Sequence, residues 1–140
     1  MEEALKEAER AFEKGEVPVG CVIVKNGKIV ARAHNRAEEL SDPTAHAEIL
    51  AIREAASKIG TKNLRDCEIF ITLEPCPMCA GAIALAGFKK VYFGAPNQKH
   101  GAVIGKFFTF EEYKIPWEHL GCKECSEILS EFFKSLRENE

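Results

Sequence analysis

The sequence contains no run of about 18 apolar residues, the length that a membrane-spanning helix requires. We therefore expect no membrane partner. The opening MEEALKEAER is acidic, whereas a signal peptide begins with positive charge followed by an apolar stretch. A cytoplasmic location is expected on both grounds.

The chain also lacks an excess of positive charge. Its 19 Lys and Arg residues are outnumbered by 22 Asp and Glu residues, and the net charge of −3 gives no general case for nucleic acid as a partner. A local basic patch could still bind a polyanion, because the field depends on where the charges lie. Internal repeats, low-complexity stretches and linkers are absent too, so the 140 residues predict one domain over 1–140.

Six cysteines are present, and in a reducing compartment their even number says little about disulfides. Cys21 lies in the apolar run VPVGCVIV and Cys67 precedes EIFITL, so both are expected in the core. The remaining four form two C-x-x-C pairs, at 76–79 and 122–125. Such spacing points to metal or redox chemistry.

Apolar periodicity predicts helices that alternate with strands, which is typical of a layered α/β domain. Asn26-Gly27 predicts a tight hairpin turn. The segment 95–121 is the least regular, and at most one short strand or helix is expected there. The predicted elements are a helix over 2–14, two hairpin strands within 17–35, a helix over 45–60, a strand over 67–73, a helix over 78–85, a strand over 89–95 and a helix from 123 onward.

The stretch EPCPMC places two cysteines at a helix start. Pro75 and Pro77 suit the first turn of a helix, where backbone N–H groups lack partners. Thiolates at Cys76 and Cys79 would be stabilised by those donors and would share one face. By itself this spacing leaves a redox pair and a metal site equally open.

His46 in DPTAHAEIL supplies the third ligand that decides between them. Two thiolates and one imidazole are the ligand count of a catalytic zinc with its fourth position open, whereas structural sites close with four protein ligands. Glu48 follows two residues later and is placed to act as general acid and base beside the metal. Alone, His46 and Glu48 would be an ordinary capping residue and a first-turn glutamate. Together, H-x-E and P-C-x-x-C form the zinc deaminase signature.

Several further stretches carry a family resemblance: VPVGCVIV, AHN, DPTAHAEILAIREA, TLEPCPMCAGAI, VYFGA and SEILSEFFKSLR. Together they resemble the bacterial tRNA adenosine deaminases of the cytidine-deaminase-like superfamily, over most of the chain. The resemblance implies a three-layer αβα sandwich around a mixed central sheet. It also implies a homodimer in which both subunits form the anticodon site.

The same resemblance implies the chemistry. His46, Cys76 and Cys79 would hold one Zn²⁺ per subunit, Glu48 would move the proton, and Asn35 would contact the flipped nucleotide. The substrate would be the wobble adenosine of a tRNA anticodon stem-loop, converted to inosine with release of ammonia. DNA is not expected as a partner.

The chain departs from the family pattern at LAGFKKVYF and in the short segment GAVIGKFFTFEEYKIPWEHLGCKEC. Since that segment borders the substrate channel, deamination of a free base or nucleoside, of the guanine or cytosine type, stays open. A zinc module without catalysis would not need Glu48. A thiol–disulfide protein would explain neither His46 nor Glu48.

Other candidates carry weaker signals. Cys122 and Cys125 could be drawn with His119 as a second metal site, but two reduced thiols are the expectation. Phe107, Phe108 and Phe110 could stack on bases, although core or dimer packing is expected for most of them. Taken one by one, the scattered basic residues are expected to be ordinary surface charges. A basic patch for tRNA could nevertheless be assembled from Lys89, Lys90, Lys99, His100, Lys106, Lys134 and Arg137.

Overall fold

The computed structural model describes residues 1–101, 103 and 109–138 and contains one mixed five-stranded sheet. The strand order is β2-β1-β3-β4-β5. The antiparallel pairs are β1 with β2 and β1 with β3, and the parallel pairs are β3 with β4 and β4 with β5. The elements in chain order are α1 (Glu2–Glu13), β1 (Gly20–Lys25), β2 (Lys28–His34), α2 (Ala47–Ile59), β3 (Cys67–Leu73), α3 (Pro77–Ala86), β4 (Lys90–Ala95), α4 (Thr109–Glu112), β5 (Trp117–His119) and α5 (Lys123–Glu138).

Helices cover both faces of the sheet. Helices α1 and α5 contact each other and the strands on one face, while α2 packs on β1 and β2 from the other face and contacts α3. Strand residues such as Ile23, Ile69, Ile71 and Phe93 are fully buried between these layers. The predicted three-layer αβα sandwich with a mixed sheet is therefore confirmed.

Local sequence signals set several element ends. Asn26 and Gly27 both have positive φ, at 52° and 75°, as a type I′ turn requires. Gly60 and Gly87 end α2 and α3 in the left-handed conformation. Pro77 begins α3 at a position where its missing N–H costs nothing. These predicted boundaries are confirmed to within a residue or two.

The prediction for 95–121 was wrong, because the described part of that segment contains both a short helix and a short strand. Strand β5 has only three residues, too few for an alternating pattern to be recognised. It forms because β4 offers a parallel partner and because Trp117 stacks on Phe93, with ring centroids 5.6 Å apart. No helix in the described part of the chain is long and apolar enough to cross a membrane.

A buried carboxylate fastens α1 to the sheet. Glu7 is 2% exposed and accepts hydrogen bonds from Arg10 at 2.7 Å and Arg32 at 2.8 Å. Its other oxygen lies 3.2 Å from Nδ1 of His34. Since a buried carboxylate is stable only when paired, this network ties the helix to β2.

We expect Glu7→Gln to lower the free energy of unfolding at pH 7 by about 2 kcal/mol, since an amide replaces a charged acceptor. Burial raises the pKa of Glu7, but hydrogen bonds from Arg32 and His34 bring it below its ordinary 4.5. The stabilisation is therefore present above pH 4.5 and is lost as pH falls through the lowered pKa of the folded state.

Urea unfolding of both proteins at a series of pH values measures this difference. The gap between wild type and Glu7→Gln should shrink below about pH 4.5. Glu9→Gln, an exposed change on the same helix, is the matched control and should follow wild type throughout. A gap that stays constant down to the lowest pH would contradict the assignment.

Candidate active site

Three potential metal ligands meet where two helices begin. His46 is the N-cap of α2 and Cys76 is the N-cap of α3, both with extended backbone, and Cys79 follows in the first turn of α3. Nδ1 of His46 lies 3.6 Å from Sγ of Cys76 and 3.5 Å from Sγ of Cys79. The three ligand atoms all lie within 4.8 Å of one another. The residues predicted from two separate motifs are therefore brought together.

This donor set fits zinc. With bonds of about 2.0–2.1 Å to nitrogen and about 2.3 Å to sulfur, a tetrahedral zinc holds its nitrogen and sulfur ligands about 3.6 Å apart. The two nitrogen–sulfur distances agree with that value. Two thiolates and one imidazole also leave one position for a non-protein ligand, as catalytic zinc sites do.

The electrostatics of the cluster prepare it for a cation. A hydrogen bond from the Cys79 thiol and another from His46 hold the pKa of Cys76 at about 4, despite partial burial. The pKa of Cys79 is raised, because Cys76 is the first of the pair to ionise and the site is buried. The pKa of His46 is raised by its hydrogen bond with Cys76. The Cys76 thiolate therefore places negative charge close to the N-termini of α2 and α3, where a cation would bind.

Glu48 lies beside this cluster without belonging to it. The residue is 4% exposed, and burial raises the pKa of its carboxyl above the ordinary 4.5; Cys76 and His46 are charged neighbours, and the Cys79 thiol is a hydrogen-bond partner. A raised carboxyl pKa brings proton exchange closer to neutral pH. The arrangement suits proton transfer at the metal.

Asn35 lines the same cleft, a cavity of about 90 Å³ that also exposes His46, Glu48 and Cys76. Its side chain is held by a hydrogen bond from the Ala37 N–H to Oδ1 at 3.4 Å. A groove of about 860 Å³ adjoins the cleft and shares with it the lining residues Val17, Leu73 and Asn97.

Sequence reasoning missed Asn97 and Glu74, which line the cleft with the predicted residues. Asn97 follows the carboxyl end of β4, where side chains of parallel sheets meet a ligand, and this position could have identified it. Glu74 lies inside the quoted motif TLEPC, yet a glutamate before a cysteine carries no distinctive signal of its own.

The residues proposed for a basic patch lie in different surroundings. Lys99, His100 and Arg137 line the large groove. Lys90 instead pairs with Glu118 at 3.0 Å. Lys89 directly precedes β4. Lys134 lines a separate groove on α5. Lys106 lies outside the described residues.

Phe110 and the second C-x-x-C are not part of the site. Phe110 is 2% exposed and belongs to the core, whereas Phe107 and Phe108 lie outside the described residues. Cys122 and Cys125 are free thiols, as expected. His119 stacks on Phe93 with ring centroids 5.4 Å apart, and within the described ranges no three-ligand group includes it. Cys21 and Cys67 are buried, as predicted.

Known deaminases resemble this chain over most of its length. The sequence profile of the cytidine and deoxycytidylate deaminase zinc-binding region matches residues 1–95. The tRNA-specific adenosine deaminase of Aquifex aeolicus (strain VF5) is 54% identical over 140 residues, which is 97% of this chain and 93% of that protein. The chain belongs to the tRNA-specific adenosine deaminase family.

Solved structures agree with this family assignment. A structure from work on A-to-I editing by tRNA:A34 deaminases superposes with a TM-score of 0.87 at 42% identity, covering 92% of this deaminase and 97% of that chain. Guanine deaminase from Bacillus subtilis superposes with a TM-score of 0.67 at 33% identity, covering 98% and 90%. Zinc is the cofactor of this deaminase, one ion per subunit.

We expect Cys76→Ala to abolish stable zinc binding, because only two of the three protein ligands would remain. Zinc content after dialysis against a chelator, measured by mass spectrometry, should fall from about one ion per chain to near zero. Cys122→Ala is the matched control, since that cysteine lies at the start of α5, and it should keep its zinc. Full zinc content in Cys76→Ala would rule out Cys76 as a ligand.

Proposed function

We propose that this enzyme converts the wobble adenosine of a tRNA anticodon stem-loop to inosine by hydrolytic deamination. The observation that carries the proposal is the buried carboxylate of Glu48 beside a His46, Cys76 and Cys79 cluster, all within one cleft. The substrate, adenosine in tRNA, is inferred from the family, because a tRNA-specific adenosine deaminase is 54% identical over nearly the whole chain.

The three cluster residues are the proposed zinc ligands. When bound, zinc supplies a Lewis acid that makes water acidic enough to act as a nucleophile near neutral pH. The charge of two thiolates balances that of the metal, so the buried site carries little net charge. The cleft of about 90 Å³ has room for the edge of the target base beside these residues.

Glu48 performs the proton transfers. Its carboxylate takes a proton from the water that attacks the adenine carbon bearing the exocyclic amine. It delivers that proton to ring nitrogen N1 as the carbon–oxygen bond forms. It then moves the remaining hydroxyl proton to the amine, whose bond to carbon breaks to release ammonia and leave inosine. Burial keeps the pKa of Glu48 raised, which makes the carboxyl an effective donor in the second transfer.

Asn35 and the adjoining groove hold the substrate. A side-chain amide can pair with the polar edge of a flipped nucleotide, and Asn35 lines the cleft where that nucleotide would lie. The groove beyond it combines Lys99 and Arg137 with Phe133, which is 43% exposed. Cations for phosphates and an aromatic ring for an unstacked base suit an RNA loop.

This groove favours tRNA over the alternative of a free base or nucleoside. A free base would make no use of the adjoining groove, whereas an anticodon loop would occupy both the cleft and the groove. The closer superposition with the tRNA:A34 deaminase structure supports the same choice. A tRNA substrate also places the enzyme in the cytoplasm, with no role for DNA.

A homodimer completes the proposal. Helix α3 leaves two apolar side chains exposed: Leu85 near its C-terminus, at 81%, and Met78 in the first turn beside Cys79, at 38%. A helix that is apolar on all sides is normally covered on all sides. A second copy of the chain is the partner that the family relationship supports.

Glu48→Gln should keep its zinc and lose activity, because glutamine has the shape of glutamate but cannot accept the proton. We expect a decrease in kcat of at least about 100-fold. The assay is inosine formation in a transcribed anticodon stem-loop, read by nucleoside chromatography. Activity within tenfold of wild type in Glu48→Gln would contradict the assigned role.

The stem-loop assay also separates the two substrate classes. A stem-loop with guanosine at the wobble position is the negative control, and free adenosine, guanine and cytosine are assayed in parallel. The proposal requires the adenosine stem-loop to be the preferred substrate. Turnover of a free base with an unmodified stem-loop would replace it with the alternative.

Leu85→Lys should weaken self-association, since it places a charge in the exposed apolar face of α3. Sedimentation velocity at micromolar concentration should show a dimer for wild type and a larger monomer fraction for this variant. Ile29→Lys is the control, because Ile29 is also exposed, at 43%, but lies on β2. A monomeric wild type would overturn the homodimer.

A further inference from the structure

Glu74 is a buried carboxylate to which the deamination mechanism assigns no role. It is 3% exposed and separates the end of β3 from the segment that holds Cys76. Its own backbone N–H donates to the carbonyl of Ala95 at 2.8 Å, which continues the parallel pairing of β3 with β4 by one residue. The side chain is thereby fixed between the metal-binding segment and the residues that follow β4.

The two carboxylate oxygens of Glu74 each accept a backbone N–H from the chain beyond β4. Oε1 accepts from Asn97 at 3.1 Å, and Oε2 accepts from Val103 at 2.9 Å. Within the turn over 97–101, the N–H of His100 donates to Oδ1 of Asn97 at 3.1 Å, and the N–H of Gly101 donates to the Asn97 carbonyl at 2.8 Å. The 97–101 turn is thus folded around the carboxylate.

Gly101 shows how closely the turn approaches. A Cβ atom at this position would lie 2.4 Å from both Cδ and Oε2 of Glu74 and 2.5 Å from the Asn97 carbonyl oxygen. Such distances are far inside van der Waals contact. The absence of a side chain at Gly101 is therefore required for the turn to close over Glu74.

The turn carries residues that face the substrate site. Asn97 lines both the metal cleft and the larger groove, and Lys99 and His100 line the groove. A displacement of the turn would move all three side chains relative to His46 and Glu48. Positions held by rigid neighbours are what a substrate-binding site requires.

We propose that Glu74 is a positioning residue, which holds the 97–101 turn against the metal-binding segment after β3 so that Asn97, Lys99 and His100 face the RNA loop. The inference rests on the proposed function for its substrate. It assigns Glu74 to substrate binding and not to proton transfer or metal ligation. A carboxylate is needed because an amide offers one acceptor oxygen, and the second backbone N–H would then face an NH₂ group.

Glu74→Gln tests this with two measurements on the zinc-loaded protein. Amide hydrogen exchange of Asn97 and Val103, followed by NMR, should quicken by at least about tenfold, since one charge-assisted bond is lost. With the adenosine stem-loop, KM should rise by about tenfold while kcat stays within about threefold, as loss of binding alone predicts. Zinc content should remain that of wild type.

Glu16→Gln is the matched control. Glu16 is 1% exposed and its carboxylate also accepts two backbone N–H groups, from Glu38 at 3.0 Å and Glu39 at 2.7 Å. Those two residues line neither the cleft nor the groove. This variant should lose stability comparably to Glu74→Gln without the rise in KM.

Gly101→Ala would disturb the same contact, because it adds a Cβ atom on the turn where it meets Glu74. It should also raise KM, and the double variant with Glu74→Gln should show less than the sum of the two single effects, since both break one contact. Additive effects on KM in the double variant would count against the shared contact.

Other results would overturn the inference. An unchanged KM and unchanged amide exchange in Glu74→Gln would show that the turn does not depend on the carboxylate. A loss of zinc together with kcat would place Glu74 in the metal site instead. If wild type leaves the stem-loop unmodified, the proposed tRNA function fails first. Amide exchange alone then decides whether Glu74 holds the turn.

Discussion

The parallel pairing of β3 with β4 is the constraint on which the site depends. Because both strands run in the same direction, the segment after Leu73 and the segment after Ala95 leave the sheet at one edge, joined by the Glu74 to Ala95 hydrogen bond of 2.8 Å. One segment carries Cys76 and the other carries Asn97. The metal-binding residues and the substrate-facing turn therefore have a common base, and neither can shift without the other.

The site concentrates groups that are costly to bury. Glu48 and Glu74 are both at most 4% exposed, and Cys79 is fully buried. Unpaired, each would destabilise the fold. The carboxylate of Glu74 accepts hydrogen bonds from backbone N–H groups, whereas burial, with the Cys76 thiolate nearby, keeps the pKa of Glu48 raised. In the proposed roles, Glu74 positions the 97–101 turn and Glu48 transfers protons. The same buried layer thus serves both rigidity and chemistry.

The sequence predicted those parts of the molecule that depend on local rules. The Asn26-Gly27 turn, the glycine helix ends and the two ligand motifs each follow from residue type and spacing within a few positions. The 97–101 turn and β5 could not be predicted in this way, since they depend on partners about 23 residues or more distant in the chain. Lys90 shows the same limit: its position suggested a phosphate contact, but β5 brings Glu118 beside it.

X-ray absorption at the zinc edge of the purified wild-type enzyme tests the central claim most directly, because it counts the atoms bound to the metal. The site described above predicts two sulfur ligands at about 2.3 Å and two nitrogen or oxygen ligands at about 2.0–2.1 Å. One of the latter is His46 and the other comes from outside the protein. A shell of four sulfurs, or one with no sulfur at all, would contradict the site and the deaminase mechanism built on it.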